Sequence, residues 1–114
     1  MFKSKLPNLS HVQILVLNSI GTGRVTGHEL RDRLAKQGYR KSYPSFYQLM
    51  GRLEDKGYVE GQYEQRTIAG QGLRERVYEV TGAGQRALAG ALTFYDEQLR
   101  KNARLRGRKR AYGF

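Results

Sequence analysis

The chain has no cysteine. That removes disulfides, thiolate metal sites and cysteine nucleophiles together, and it fits a reducing cytoplasm. Long apolar runs are also missing. The longest, Val12 to Ile20, is interrupted by Gln13, Asn18 and Ser19 and falls far short of the roughly 20 residues that span a bilayer. No small-residue cleavage site follows an apolar N-terminal stretch, so no signal peptide is expected. Acidic residues are scarce: 10 against 21 Lys and Arg, for a net charge of +11 and a sequence pI near 10.3. The last fifteen residues hold seven Lys and Arg and no acid, whereas residues 1–99 hold ten acids against fourteen Lys and Arg. A basic tail on a mildly basic domain points to a polyanionic partner. A tail that merely keeps the protein in solution is the plain alternative. At 114 residues the chain is long enough for one domain with a modest core.

Catalytic and cofactor chemistry finds little support. Gly82-Ala83-Gly84-Gln85-Arg86-Ala87 follows Val77-Tyr78-Glu79-Val80 and formally matches a dinucleotide fingerprint. The fingerprint needs a further strand with an acidic residue, and here the chain runs into its basic tail. Gly21 to His28 contains no Gly-Lys-Ser/Thr, so it is no phosphate loop. His11 and His28 share no ligand-type spacing with any acid, and adjacent residues such as His28 and Glu29 diverge on a helix. Asp96-Glu97 reads as a solvated helix face. We expect no enzyme, no metal and no cofactor.

Helix signals are clear. Ser10 can cap a helix that ends near Gly21, and its apolar residues project in nearly all directions, which suggests burial on more than one side. Thr26 to Glu29 fits a capping box, and the helix then runs to Gln37 with Leu30 and Leu34 inward and Gly38 as its stop. A third helix starts around Tyr43-Pro44 and ends at Gly57, with Phe46, Tyr47, Met50 and Leu53 on one face. Gly51 inside it costs about 0.8–1 kcal/mol relative to Ala, which suggests close backbone packing. Tyr58 to Gln65 and Arg74 to Val80 read as strands, joined by an irregular glycine-rich loop, Arg66 to Leu73. Thr81 can cap a last helix, in which Leu88, Leu92, Tyr95, Leu99 and Asn102 recur at spacings of four and three. A small domain that already has its core does not need this stripe, so it is expected to meet a partner subunit, with packing on the first helix as the alternative.

Two helices followed by a β-hairpin is the order of a winged helix-turn-helix. The expected fold is mostly α with a small β-hairpin wing and a long C-terminal dimerisation helix: residues 9–81, 82–102, then a basic tail over 103–114 without fixed structure. An α-helix fits the major groove of DNA, where Arg can fork onto guanine and Gln onto adenine. Tyr43, Ser45, Gln48 and Arg52 are the candidate reading residues. Arg40, Lys41 and Ser42 suit phosphate clamping. Arg66, Arg74 and Arg76 on the wing suit a narrow minor groove, although charge there can also protect a strand edge. Arg104, Arg106, Arg108, Lys109 and Arg110 of the tail suit phosphates.

Three stretches resemble the PadR family of winged-helix transcriptional regulators, over roughly residues 9–100. Val25-Thr26-Gly27-His28-Glu29-Leu30 is similar to the family's h-G-Y-E-I segment, with His28 where Tyr is usual. Ser45 to Val59 is similar to t-l-Y-x-x-L-x-x-L-e-x-x-G-l-v, with Tyr47 and Gly57 in register. Tyr78-Glu79-Val80-Thr81-Gly82-Ala83-Gly84 is similar to Y-x-l-T-e-a-G. The resemblance implies a cytoplasmic, nucleoid-associated homodimer that uses its last helix as the dimer arm and represses transcription from a near-palindromic operator in double-stranded DNA. It also implies a small aromatic or cationic effector near the dimer interface in some members. This chain has no Trp to stack on such a compound, and its single terminal helix matches the short branch of the family. An architectural or RNA-binding winged helix is the rival reading, and Tyr63 on the hairpin is its comfortable candidate for base stacking.

Overall fold

The computed structural model describes residues 5–113, and their side chains apart from Ile68 and residues 104–113. The order is α1 (His11–Ile20), β1 (Arg24–Thr26), α2 (Gly27–Lys36), α3 (Tyr43–Asp55), β2 (Val59–Ile68), β3 (Gln71–Val80) and α4 (Gly82–Gly113). This is the mostly helical winged fold the sequence predicts. No helix among the described residues is long and apolar enough to cross a membrane.

Each helix begins where a side-chain oxygen can take an orphan amide. Ser10 accepts from Gln13 N at 3.1 Å, and the Gln13 side chain returns a bond to Ser10 N, which closes a capping box. Thr26 accepts from Glu29 N at 3.1 Å, and Ser42 from Ser45 N at 3.3 Å. Pro44 follows in the first turn of α3, where a missing amide costs nothing. Both α2 and α3 stop in the same way. Gly38 and Gly57 adopt φ of 93° and 76°, and Tyr39 N and Tyr58 N donate back to Leu34 O and Leu53 O at 2.9 and 3.0 Å. These are Schellman closures, which need a residue tolerant of positive φ.

The sheet has the order β1-β3-β2, all antiparallel. β1 is an element that the sequence reading lacks: three residues are too few to show alternation. The wing also differs from expectation. Its strands run to Ile68 and from Gln71, so the connection is a two-residue turn, Ala69-Gly70, with φ of 53° and 80°. Two successive positive φ values give the type I′ turn, which matches strand twist.

The core gathers Val16, Leu17 and Ile20 of α1, Leu30 and Leu34 of α2, Phe46, Met50 and Leu53 of α3, Val25, Val59, Tyr78 and Val80 of the sheet, and Leu88 and Ala91 of α4. Tyr47, expected on the buried face of α3, is 45% exposed instead. Close packing at Gly51 is not found, for no heavy atom lies within 4 Å of where a Cβ would stand. α4 leaves the body and continues through the basic segment that the sequence reading places outside it. Residues 103–113 contain no proline, and Ala, Arg, Lys and Leu all favour helix; Gly107 is tolerated.

Candidate nucleic-acid interface

α3 is held on one side by Phe46, Met50 and Leu53, all buried. Ser45, Gln48 and Arg52, spaced by three and four residues, are exposed on another side of the helix. They line one shallow groove with Ser10, Tyr39 and Lys41. Arg40 and Lys41 line a second cleft with His28, Arg31, Asp32 and Phe46, between α2 and the turn into α3. Cationic side chains therefore flank the start of the exposed helix face. The geometry suits a polyanion whose backbone runs past the helix N-terminus.

Some expected contacts have other employment. Ser42 is the N-cap of α3, and its hydroxyl donates to Ser45 Oγ at 3.1 Å. Its role in this structure is to start the helix. Tyr43 lies beneath the Arg31 guanidinium, 3.5 Å from the ring centroid, and stacks on Tyr47 at 6.2 Å. Arg31 Nη2 also donates to Lys41 O at 2.9 Å, which fixes the turn before α3. Lys56 is structural as well: its ammonium donates to Asn8 O at 3.0 Å and to Gln13 Oε1 at 3.2 Å.

The three wing arginines separate in the structure. Arg76 is about one-fifth exposed and donates to Glu54 of α3 at 2.5 Å. Burial alone would lower its pKa, but the bond and charge of Glu54 and the nearby Tyr78 hydroxyl raise it. Arg76 is therefore a tie between wing and helix rather than a free groove contact. Arg66 pairs with Glu75 at 3.1 Å, a diagonal cross-strand pair that spends much of its charge within the hairpin. Arg74 is exposed and stands over the exposed ring of Tyr63, 4.6 Å from its centroid. Burial, then the Glu54 carboxylate, pushes the Tyr78 hydroxyl up to about 12.

The side chains of Arg104, Arg106, Arg108, Lys109 and Arg110 lie outside the described residues. Along α4, Leu88 is buried in its own domain, so it belongs to the core rather than to an outer seam. Leu92, Tyr95 and Leu99 are 48%, 43% and 61% exposed.

A sequence model of the transcriptional regulator PadR-like family matches residues 16–90. The chain belongs to the PadR-like family. A search of curated protein sequences returns no match. Solved structures share the fold. A PadR family regulator from Eggerthella lenta is 23% identical with a TM-score of 0.63, the match covering 81% of this chain and 78% of that one. A PadR-like transcription factor from Bacteroides fragilis is 16% identical with a TM-score of 0.67, covering 82% and 88%. Bacillus subtilis PadR, solved in complex with operator DNA, is 20% identical with a TM-score of 0.59, covering 73% of this chain and 48% of that one. The PadR-like family consists of transcriptional regulators rather than enzymes, in keeping with the lack of a catalytic constellation in the sequence. Arg31 and Glu54 enter the site from the structure alone, since their pairings with Tyr43 and Arg76 are tertiary.

Proposed function

We propose that this chain represses transcription as a homodimer bound to a near-palindromic operator in double-stranded DNA. The carrying observation is the exposed Ser45, Gln48 and Arg52 face on a helix whose other side is locked into the core. Gln48 and Arg52 read bases, Ser45 anchors, and Arg40 and Lys41 grip phosphates as the helix enters the major groove. The α4 stripe of Leu92, Tyr95 and Leu99 joins two copies, which places two reading helices on two half-sites. The tail arginines and Lys109 add affinity without sequence preference.

In vitro selection from a random duplex pool, followed by binding and salt titration, tests this reading. We expect a selected motif with near-dyad symmetry. Arg52→Ala should cost about 1–3 kcal/mol on that site and far less on random duplex. Replacing Arg104, Arg106, Arg108, Lys109 and Arg110 with Gln should weaken both duplexes alike and flatten the salt slope. Selection that yields no motif, or a hairpin RNA that competes as well as the selected duplex, would return the protein to the architectural or RNA-binding class.

A further inference from the structure

The wing has two chemically opposed faces. Side chains alternate across a sheet, so Gly61, Tyr63 and Gln65 share a face with their register partners Tyr78, Arg76 and Arg74. That face starts in the core at Tyr78 and passes Arg76, which Glu54 ties to α3. It then reaches Tyr63, 59% exposed, with the Arg74 and Arg76 guanidiniums 4.6 and 4.8 Å from its ring centroid. The other face carries Glu60 opposite Glu79 and Glu64 opposite Glu75. Arg24 pairs with Glu64 and Arg66 with Glu75. Four carboxylates repel a phosphate backbone, and both arginines beside them are engaged as counter-ions.

We propose that the wing meets the DNA phosphate backbone through Tyr63 and Arg74, and that Arg66 is an internal counter-ion of Glu75 rather than a DNA contact. This rests on the double-stranded DNA reading above and says which face of the hairpin carries it. The Tyr63 ring holds the Arg74 guanidinium by cation–π attraction. Arg76 also lies against the ring, 4.8 Å from its centroid, and is itself held by Glu54. Arg74 is thereby fixed relative to α3 before DNA arrives, which spares much of the entropy of ordering a long side chain. A phenol hydroxyl and a guanidinium side by side are both donors to phosphate oxygens.

The test uses the full chain and two duplexes, one selected from a random pool and one of random sequence. Tyr63→Ala and Arg74→Ala should each weaken binding about fivefold or more on both duplexes, since phosphates carry no sequence. Arg74→Ala should also lower the salt slope by about 0.9. Tyr63→Phe, which keeps the ring, should preserve the Arg74 contribution. Arg66→Ala should change affinity less than twofold. Thermal unfolding of the Tyr63 and Arg74 variants should match the parent, because both side chains are exposed. Undiminished binding by Tyr63→Ala and Arg74→Ala, or a larger loss from Arg66→Ala, overturns the inference while the regulator reading stands. A parent protein that binds neither duplex overturns both.

Discussion

Glu54, in the last turn of α3, accepts a hydrogen bond from Arg76 of β3 at 2.5 Å, directly over Gly61 of β2. The angle between the exposed helix and the wing is held by this pair. Both side chains are about three-quarters buried, so the loss of one partner strands a charge in a poorly solvated place. Arg76→Leu and Glu54→Gln should each destabilise the fold by about 1–3 kcal/mol in urea unfolding. The double variant should cost less than the sum of the singles. Strict additivity would show that the two groups are neighbours without coupling.

Three glycines predict opposite signs for one substitution. At Gly84 a Cβ would collide with the carbonyl oxygen of Tyr58, a backbone atom that also accepts from Thr81 N. Gly84→Ala must therefore push the start of α4 away from β2, at a cost of about 3 kcal/mol or more. At Gly61 a Cβ would meet the Tyr78 ring at 2.9 Å and the Glu54 carboxylate at 2.5 Å. The carboxylate can swing but the buried ring cannot, so Gly61→Ala should cost about 1–3 kcal/mol. Gly51 has open space and a helical backbone. Gly51→Ala should stabilise by about 0.8–1 kcal/mol. Thermal denaturation ranks the three, and a destabilised Gly51→Ala would refute the open-space account.

The helices were legible because their signals are local. Ser10 and Thr26 stand at the caps, Pro44 in the first turn of α3, and Gly38 and Gly57 at the stops, within one turn of the residues they serve. The exposed polar face of α3 was visible for the same reason, as periodicity. What escaped the sequence is tertiary or depends on register. β1 gains its identity by pairing with β3, more than fifty residues on. The Ala69-Gly70 turn lacks the Asn-Gly or Asp-Gly signal that marks a type I′ hairpin. Once that register is fixed, Arg66 falls diagonal to Glu75 and Tyr63 opposite Arg76. Three arginines that look alike in sequence thus become a counter-ion, an exposed cation and a tie to α3.

Tyr78 gives the fold an alkaline limit. Its hydroxyl is pushed up to about 12 by burial and by the nearby Glu54 carboxylate, against about 10 in an unfolded chain. The folded state holds the proton more tightly, so its contribution is fully present below pH 10. It is lost as the pH rises from about 10 towards 12, with an integrated size of roughly 2–3 kcal/mol. Tyr78→Phe keeps the ring and removes the titration. The difference in unfolding free energy between parent and variant should be flat below pH 10 and shift in favour of the variant above it. A constant difference up to pH 12 would show that the hydroxyl titrates normally in the fold.

The α4 stripe divides into a buried part and an exposed part, and the division predicts different failures. Leu88 is buried against its own domain, whereas Leu92 and Leu99 stand about half or more exposed. Leu88→Ala should open a cavity and cost about 2–5 kcal/mol in stability. A variant carrying Leu92→Glu and Leu99→Glu removes no core contact of the single chain. If the stripe joins two subunits, it brings like charges onto both sides of the seam and should sediment as a folded monomer with an unaltered circular dichroism spectrum. Its binding to a selected near-palindrome should fall much more than its binding to a half-site, because the second half-site no longer benefits from being tethered to the first. A double variant that sediments with the parent would place any dimer contact elsewhere on the molecule. A parent that sediments as a monomer at micromolar concentration would remove the dimer from the proposal altogether, leaving Leu92, Tyr95 and Leu99 as an exposed face without a role in assembly.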